Sequence, residues 1–417
     1  FDRTNLYFGV EHPRDKDAWV FRYLKAHGED CGIIYCSTRK NVDELYDRLR
    51  LEGISAARYH AGLSQEERQQ AQEDFQYDRV QVIVATNAFG MGIDKSNVRY
   101  VLHYNMPSCL ENYYQEAGRA GRDGEPSECI LLFSPQDVVI QKFLLEHKEQ
   151  SAALEEVEEA NLRKLYAMEH YCRTTSCLRQ TLLHYFGEEA PARCNHCSTC
   201  NGDYEEVDMT EETKSIVKCI HEARRPYGIT LMANVLAGSR STRVEETGLS
   251  RLRMFGALHN HSLKEIREMI QNLLDQGYLL ITRDKYPVLK ISKKIWELQD
   301  DSIRVLLRKE AGAADGGKSS RKKKKSLPDL DLPAGFSQEM GAELFSRLRS
   351  LRKQLAEQAM VPPFVVFGDR TLREMCRHLP RNHEQFLQVP GVGQHKDEKY
   401  GAAFLDAING FCEEKGL

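Results

Sequence analysis

The chain has 417 residues, 41% hydrophobic and 29% charged, with a formal net charge of −4. That length exceeds one hydrophobic core, so several domains of ordinary globular composition are expected. The charge excludes a chain-wide basic field, so any nucleic-acid contact must come from local patches. No apolar run approaches the ~20 residues of a bilayer span, which excludes a membrane partner on this reading. The chain opens Phe1-Asp2-Arg3-Thr4-Asn5, without an initiator Met or a signal peptide, and is expected to be a piece of a longer, cytoplasmic protein.

Residues 1–137 alternate strands and helices. Strands are predicted at 32–36, 56–60, 82–85, 100–104 and 129–133, with helices over 41–49 and 65–75, the latter capped by Ser64. Repeated strand–helix units imply an α/β lobe with a parallel sheet, whose ligands lie beyond the carboxyl ends of the strands. Three segments follow such strands or lie between them: Tyr59-His60-Ala61-Gly62-Leu63, Thr86-Asn87-Ala88-Phe89-Gly90-Met91-Gly92-Ile93-Asp94, and Gln115-Glu116-Ala117-Gly118-Arg119-Ala120-Gly121-Arg122-Asp123-Gly124. Glycines allow a backbone to approach a phosphate chain. Two arginines three apart, placed on one face at a helix start, can meet the charge of a transferring phosphoryl group.

In this order and spacing the three segments resemble motifs of superfamily 2 helicases. Their wording, with the Phe1-Asp2-Arg3 opening, resembles the RecQ family of ATP-dependent DNA helicases. The resemblance implies a second RecA-like lobe in which Arg122 is an arginine finger for the γ-phosphate. Arg119 and Gln115 would couple nucleotide state to lobe closure, and Gly92 and Asp94 would lie at the nucleotide cleft. Ser37, Arg39, His60 and Thr86 would face DNA. Asn87 stands as an extra residue relative to the family pattern. Neither Gly-x-x-x-x-Gly-Lys-[Ser/Thr] nor Asp-Glu-x-His occurs in the chain. Those motifs cradle phosphates and hold Mg²⁺, so this chain alone is expected not to hydrolyse ATP. ATP and Mg²⁺ belong to the complete enzyme, which the resemblance makes a 3′–5′ helicase in recombination and repair.

Residues 138–206 read as helices ending in Cys177, Cys194, Cys197 and Cys200, a Cys-x16-Cys-x2-Cys-x2-Cys spacing that suits a tetrahedral Zn²⁺ site. Cys172 and His196 lie near enough in sequence to compete as ligands. The spacing is similar to that of the RecQ zinc module, which favours four cysteines and a structural role.

Residues 207–305 read as helices followed by a hairpin, a winged helix. Six arginines between 224 and 253, Arg251 and Arg253 among them, face two acids, Glu245 and Glu246. They suit a duplex phosphate backbone or simply a solvated face. Tyr286, at the turn of the hairpin, is placed to stack on a base. Residues 306–337 read as a flexible basic linker, with six basic residues among the eight from Lys318 to Lys325. Residues 338–417 resume helical periodicity and resemble the all-α HRDC domain. Its Val389-Pro390-Gly391-Val392-Gly393 is either a phosphate-binding turn or a tight helix connection. The expected partners are single-stranded and forked DNA and a single-strand DNA-binding protein, the chain acting as a monomer of bacterial type. The competing reading is a non-enzymatic, zinc-containing module that binds DNA forks or junctions.

Overall fold

The computed structural model describes residues 2–28, 30–87, 89, 95–146, 155–202, 204–282, 287–299, 303–310 and 336–416. It falls into two compact units, Phe1–Gln141 with Gly317–Leu417, and Lys142–Gly316.

The first unit is built on a six-stranded sheet: β1 (Leu6–Glu11), β2 (Gly32–Tyr35), β3 (Ala56–Tyr59), β4 (Val82–Ala85), β5 (Tyr100–His103) and β6 (Ser127–Leu132), in the order β1-β6-β5-β2-β4-β3. Every ladder is parallel. Helices α1 (Lys16–His27), α2 (Arg39–Leu51), α3 (Gln65–Gln76) and α4 (Leu110–Ala117) connect the strands. Ser64 caps α3 through a full capping box with Glu67, so two orphan amides are satisfied where the sequence predicted a helix start. Val20, Leu24, Val42, Leu45 and Leu49 pack on Ile34, Val82, Val84 and Leu102 of the sheet.

Strand β1 was not expected from the sequence. It is an edge strand paired only with β6, and it carries Gly9 in its middle, under the side chain of Ile130. A strand with one neighbour and a glycine has a weak alternating pattern. Gly32 is different: a Cβ there would lie 1.9 Å from the Tyr100 ring, its ladder partner. The fully buried Tyr100 can occupy the middle of the sheet only because residue 32 has no side chain.

Helix α5 (Pro135–Glu146) runs through the expected boundary at 137/138. It is fastened to the lobe by its own polar residues. Asp137 accepts from Lys16 and Asn105, and Gln141 donates to Met106 O. These bonds, invisible to hydrophobic periodicity, carry the helix past the predicted domain edge.

The second unit opens with α6 (Glu155–Arg173), α7 (Leu178–Tyr185) and α8 (Ser198–Asn201). Strand β7 (Tyr204–Asp208) then leads into α9 (Thr210–Glu222), α10 (Ile229–Leu236), α11 (Thr242–Glu246) and α12 (Leu263–Asp275). The predicted hairpin is β8 (Leu279–Ile281) against β9 (Leu289–Ile291), antiparallel. Ile266, Met269, Ile270 and Leu273 place one stripe of α12 in the core with Met232, Val235, Leu236, Leu279 and Leu289.

The expected linker begins too early. Residues 306–310 form β10 (Leu306–Glu310), antiparallel to β7, so the helices and hairpin are closed by one ribbon from both ends. Leu307 and Val305 are buried and supply its apolar contribution. The winged-helix boundaries at 207 and 305 therefore cut through or beside paired strands. Residues 311–335 lie outside the described residues, as do Tyr286, Gly92 and Asp94.

The C-terminal helices of the first unit are α13 (Gln338–Gln358), α14 (Pro363–Val366), α15 (Asp369–His378), α16 (His383–Leu387), α17 (Gln394–Lys396) and, after a short π turn, α18 (Ala402–Lys415). Leu344, Leu348, Phe367, Leu372, Met375, Phe386, Phe404 and Phe411 form their core. Gly391 has φ +91°, and a Cβ would meet Thr371 Oγ1 at 2.2 Å. Val389 and Val392 beside it are buried, so the Gly-Val-Gly segment is a tight helix connection.

Candidate motor surface and metal centre

Three site segments leave the carboxyl ends of neighbouring strands. Ser37 follows β2, His60 follows β3 and Thr86 follows β4, with Tyr35 and Tyr59 both in register with Ala85. Parallel pairing alone therefore brings them to one edge. Ser37 N donates to Asn105 Oδ1 at 3.1 Å, and its Oγ accepts from Gln141 Nε2 at 3.2 Å. That leaves its O–H to donate outward. Arg39 is exposed at the first turn of α2, and its Cδ lies against Gly62, where a Cβ would come to 3.3 Å. Thr86 is half-exposed, with its amide donating to Tyr59 O. Asn87 is exposed in the turn beside it.

His60 does not reach the surface. It is 5% exposed, accepts from Gly62 N on Nδ1 and so donates from Nε2 to Asp43 Oδ1 at 3.1 Å. Arg58 Nη1 donates to the same carboxylate oxygen at 2.7 Å. His60 thus shapes the Ala61–Leu63 turn beside Arg39, and its two ring nitrogens are both engaged.

The arginine segment differs from the expected helix start. Helix α4 ends at Ala117, and Arg119 and Arg122 sit in the turns after it. Gly121, with φ +55°, makes the chain reverse there. A Cβ on it would meet Asn5 Nδ2 and Ser127 Oγ at 2.6 Å, so only glycine fits. The turn is clamped from four sides. Arg3 donates to Gly118 O at 2.8 Å and to Gly121 O, and Asn5 Nδ2 donates to Gly121 O and Glu125 O at 2.9 Å. Glu116, buried, meets His103 Nε2 at 2.8 Å. Asp123 pairs with Arg99. Gln115 and Arg122 remain exposed and Arg119 half-exposed on this held frame.

Tyr35 links the arginine turn to the segment after β4. Its hydroxyl donates to Phe89 O at 3.1 Å, and the Arg119 side chain hydrogen-bonds to it. Burial raises the Tyr35 phenol well above its ordinary value, with Arg119 opposing. The residues that sequence reasoning passed over here are Tyr35, Glu116 and His103. Tyr35 and His103 end apolar strands and read as core, while Glu116 lies inside the quoted motif.

The metal centre gathers Cys177, Cys194, Cys197 and Cys200, whose four sulfurs lie within 4.8 Å of one another. Cys172 and His196 are not in that group, which resolves the alternative ligand sets among the described residues. Cys177 Sγ and Cys197 Sγ lie 4.0 Å apart, as do Cys194 Sγ and Cys200 Sγ. Tetrahedral Zn²⁺ with bonds of ~2.3 Å needs sulfur edges of roughly 3.8 Å, so the donor set fits zinc. Local folding sets the cage. Cys177 caps α7 by accepting from Gln180 N, and Cys197 caps α8 by accepting from Cys200 N. The close Cys177 contact lowers the Cys197 thiol, and the same contact raises that of Cys177. Thr199 Oγ1, 3.2 Å from Cys197 Sγ, accepts from Leu178 N and ties the two capped helices together. All four positions are filled by protein, so the centre is closed to substrate.

On the second unit Arg224, Arg225, Arg240, Arg243, Arg251 and Arg253 are all exposed. Val244 and Leu249 are buried between them, which holds Arg251 and Arg253 outward on a short 3₁₀ turn, Leu249–Arg251, and the residues after it.

Four family models match the chain: the helicase conserved C-terminal domain over residues 15–124, RecQ zinc-binding over 135–201, the RQC domain over 203–315 and the HRDC domain over 341–408. The ATP-dependent DNA helicase RecQ of Bacillus subtilis (strain 168) is 41% identical over 412 residues, covering 99% of this chain and 65% of that protein. The protein of the same name from Haemophilus influenzae is 34% identical over 412 residues, 98% of this chain and 64% of the relative. RecQ-like DNA helicase BLM of Xenopus laevis is 32% identical over 447 residues, 99% of this chain and 32% of the relative. The chain thus spans just under two thirds of the bacterial relatives.

Proposed function

Since this chain belongs to the RecQ family, we propose that it forms the arginine-bearing half of an ATP-dependent DNA helicase motor together with the DNA-binding modules behind it. The division is a second RecA-like lobe to about residue 137, a helical zinc module, a winged helix that ends with β10, a basic linker and an HRDC domain. The observation that carries this reading is the clamped turn holding Arg119 and Arg122, joined through Tyr35 to the segment after β4. A module that only binds DNA has no use for two held arginines on such a turn.

In this reading Arg122 reaches across the lobe cleft and stabilises the charge that builds on the transferring phosphoryl group. Arg119, bonded to Tyr35, passes the state of that cleft to the segment of Thr86. Gln115 assists closure of the lobes, and Gly92 and Asp94 line the cleft. Ser37, Arg39 and Thr86 hold successive phosphates of a single strand, with His60 positioning the turn beside Arg39. Movement runs 3′ to 5′ on one strand, in a monomer. The winged helix meets duplex through Arg251 and Arg253, and Tyr286 stacks at the fork. Zinc, held by the four cysteines, supplies a structural cross-link. ATP and Mg²⁺ are bound mainly by a first lobe, so this chain alone does not turn over ATP. The cellular setting is cytoplasmic and nucleoid-associated, with a single-strand DNA-binding protein as a partner.

The duplex contact is tested by salt dependence. Replacing Arg251 and Arg253 by Ala is expected to reduce the slope of log affinity against log salt by about 2, at ~0.9 per phosphate contact. Fork-binding titrations from low to moderate salt check this. An unchanged slope places the duplex elsewhere.

A further inference from the structure

Three of the four sulfurs come from one short stretch, Cys194 to Cys200, whereas Cys177 stands at the start of α7, joined to them by a long connection. Bringing the ends of such a connection together costs entropy. A bond that fixes Cys177 beside the others therefore makes capture of an ion more favourable. The backbone offers three of the sulfurs an amide each. Gln180 N donates to Cys177 at 3.5 Å, His196 N to Cys194 at 3.3 Å and Cys200 N to Cys197 at 3.4 Å. Each of these amides belongs to the turn that carries its own cysteine, so none of them holds the Cys177 segment to the other three.

The Thr199 side chain does join them. It is 5% exposed, its Oγ1 accepts from Leu178 N at 3.3 Å, and the same oxygen lies 3.2 Å from Cys197 Sγ. Leu178 directly follows Cys177 and stands 21 residues from Thr199, so one hydroxyl spans the whole connection. The direction of its second bond follows from the first. A hydroxyl carries one proton, and a zinc-bound thiolate carries none and can only accept. The Thr199 O–H therefore donates to Cys197 Sγ. A bond to an ionised acceptor is stronger than one between neutral groups, and it is screened little where Cys177 and Cys197 are both buried.

We propose that Thr199 is a positioning residue of the zinc centre: its hydroxyl, held by Leu178 N, donates to the Cys197 thiolate and so sets the distant ligand Cys177 beside Cys197 at the spacing zinc needs. The residue touches no metal and acts through the two sulfurs on either side of it. One hydrogen bond of this kind does not keep α7 and α8 folded without the ion. It sets how tightly the folded region holds the ion, and it adds to the charge stabilisation that Cys197 receives from Cys200 N. The inference rests on zinc being the ion of the four cysteines and concerns a fifth side chain that their spacing does not point to.

The experiment uses the full chain, loaded with Zn²⁺ for affinity under a competing chelator and with Co²⁺ for its sulfur-to-metal charge-transfer band. Thr199→Val keeps the branched shape and removes the hydroxyl. It is expected to weaken Zn²⁺ binding roughly 10- to 100-fold, the range for losing a group that orients a metal ligand. Its Co²⁺ band should move to longer wavelength, because a thiolate without the O–H donor gives up charge to the metal more easily. Thr199→Ser keeps both bonds and should restore the parent's affinity and band. Thr181→Val is the control: the Thr181 hydroxyl donates to Cys177 O at 3.1 Å and not to a sulfur, so the band should stay in place. Weaker binding by Thr199→Val with an unmoved band traces the loss to packing or to the stranded Leu178 amide, and overturns the proposal. So does a Thr199→Ser chain as weak as Thr199→Val, or a Thr199→Val chain within about threefold of the parent's affinity. A parent chain that takes up neither ion overturns the zinc reading and this inference with it, whereas one ion held equally by parent and Thr199→Val sinks only the inference.

Discussion

Replacing Arg122 by Ala is expected to lower DNA-stimulated ATP turnover of the complete two-lobed enzyme by about 10³- to 10⁵-fold, the range for losing an arginine that meets the transferring phosphoryl group. The fold should not notice. Arg122 is exposed, while the turn beneath it is held by Arg3, Asn5, the Glu116–His103 bond and the Arg99–Asp123 pair. Exposed substitutions of this kind stay within about 0.5 kcal/mol, so thermal unfolding should be unchanged while turnover collapses. Arg122→Lys should rescue little, because a lysine ammonium lacks the planar fork that binds two oxygens at once. Gly121→Ala should lose activity too, but with lower stability, since its Cβ has no space. The comparison separates the chemistry of residue 122 from the shape that presents it. An Arg122→Ala enzyme within tenfold of the parent's turnover contradicts the assignment.

The second large effect concerns the metal. Each chain is expected to carry one zinc, and stripping it should unfold the α7–α8 region. Structural zinc contributes roughly 10–16 kcal/mol of apparent folding free energy in small modules at pH 7. The reason here is local. Two of the four sulfurs cap helices α7 and α8, and α8 has only four residues, too few to persist alone. Without the ion, only a weak thiol contact at 4.0 Å joins Cys177 and Cys197. Cys197→Ala should therefore abolish zinc and expose the segment to protease, whereas Cys172→Ala should keep full zinc. Elemental analysis with limited proteolysis reads both. A zinc-free chain whose 177–200 segment resists protease as before contradicts the structural role.

How much of this was legible beforehand depended on the kind of interaction. Buried strands β2, β4 and β5 are continuous apolar runs and announce themselves. The Ser64 cap and the β8–β9 hairpin are local and were equally plain. Edge strand β1 and the ribbon of β7 with β10 were not, because their pairing partners lie about a hundred residues away and their patterns are weak. The four cysteines were readable from spacing, but exclusion of Cys172 and His196 needed three dimensions. The arginine segment stood out in the sequence, but its shape did not: it follows the end of a helix rather than opening one. Gly118 caps the helix and Gly121 reverses the chain after it, while Arg3 and Asn5, distant in sequence, fix the turn. His60 carried a similar lesson: the resemblance placed it facing DNA, whereas its neighbours Asp43 and Gly62 occupy both nitrogens.

In the function proposed here, this chain holds the arginine side of a motor whose phosphate-binding side lies in another lobe. ATP hydrolysis measured with single-stranded DNA, on this chain alone and on the chain recombined with a first lobe of the same family, tests it most directly. No turnover by the chain alone and DNA-dependent turnover on recombination are expected. Steady DNA-stimulated hydrolysis by the isolated chain would contradict it.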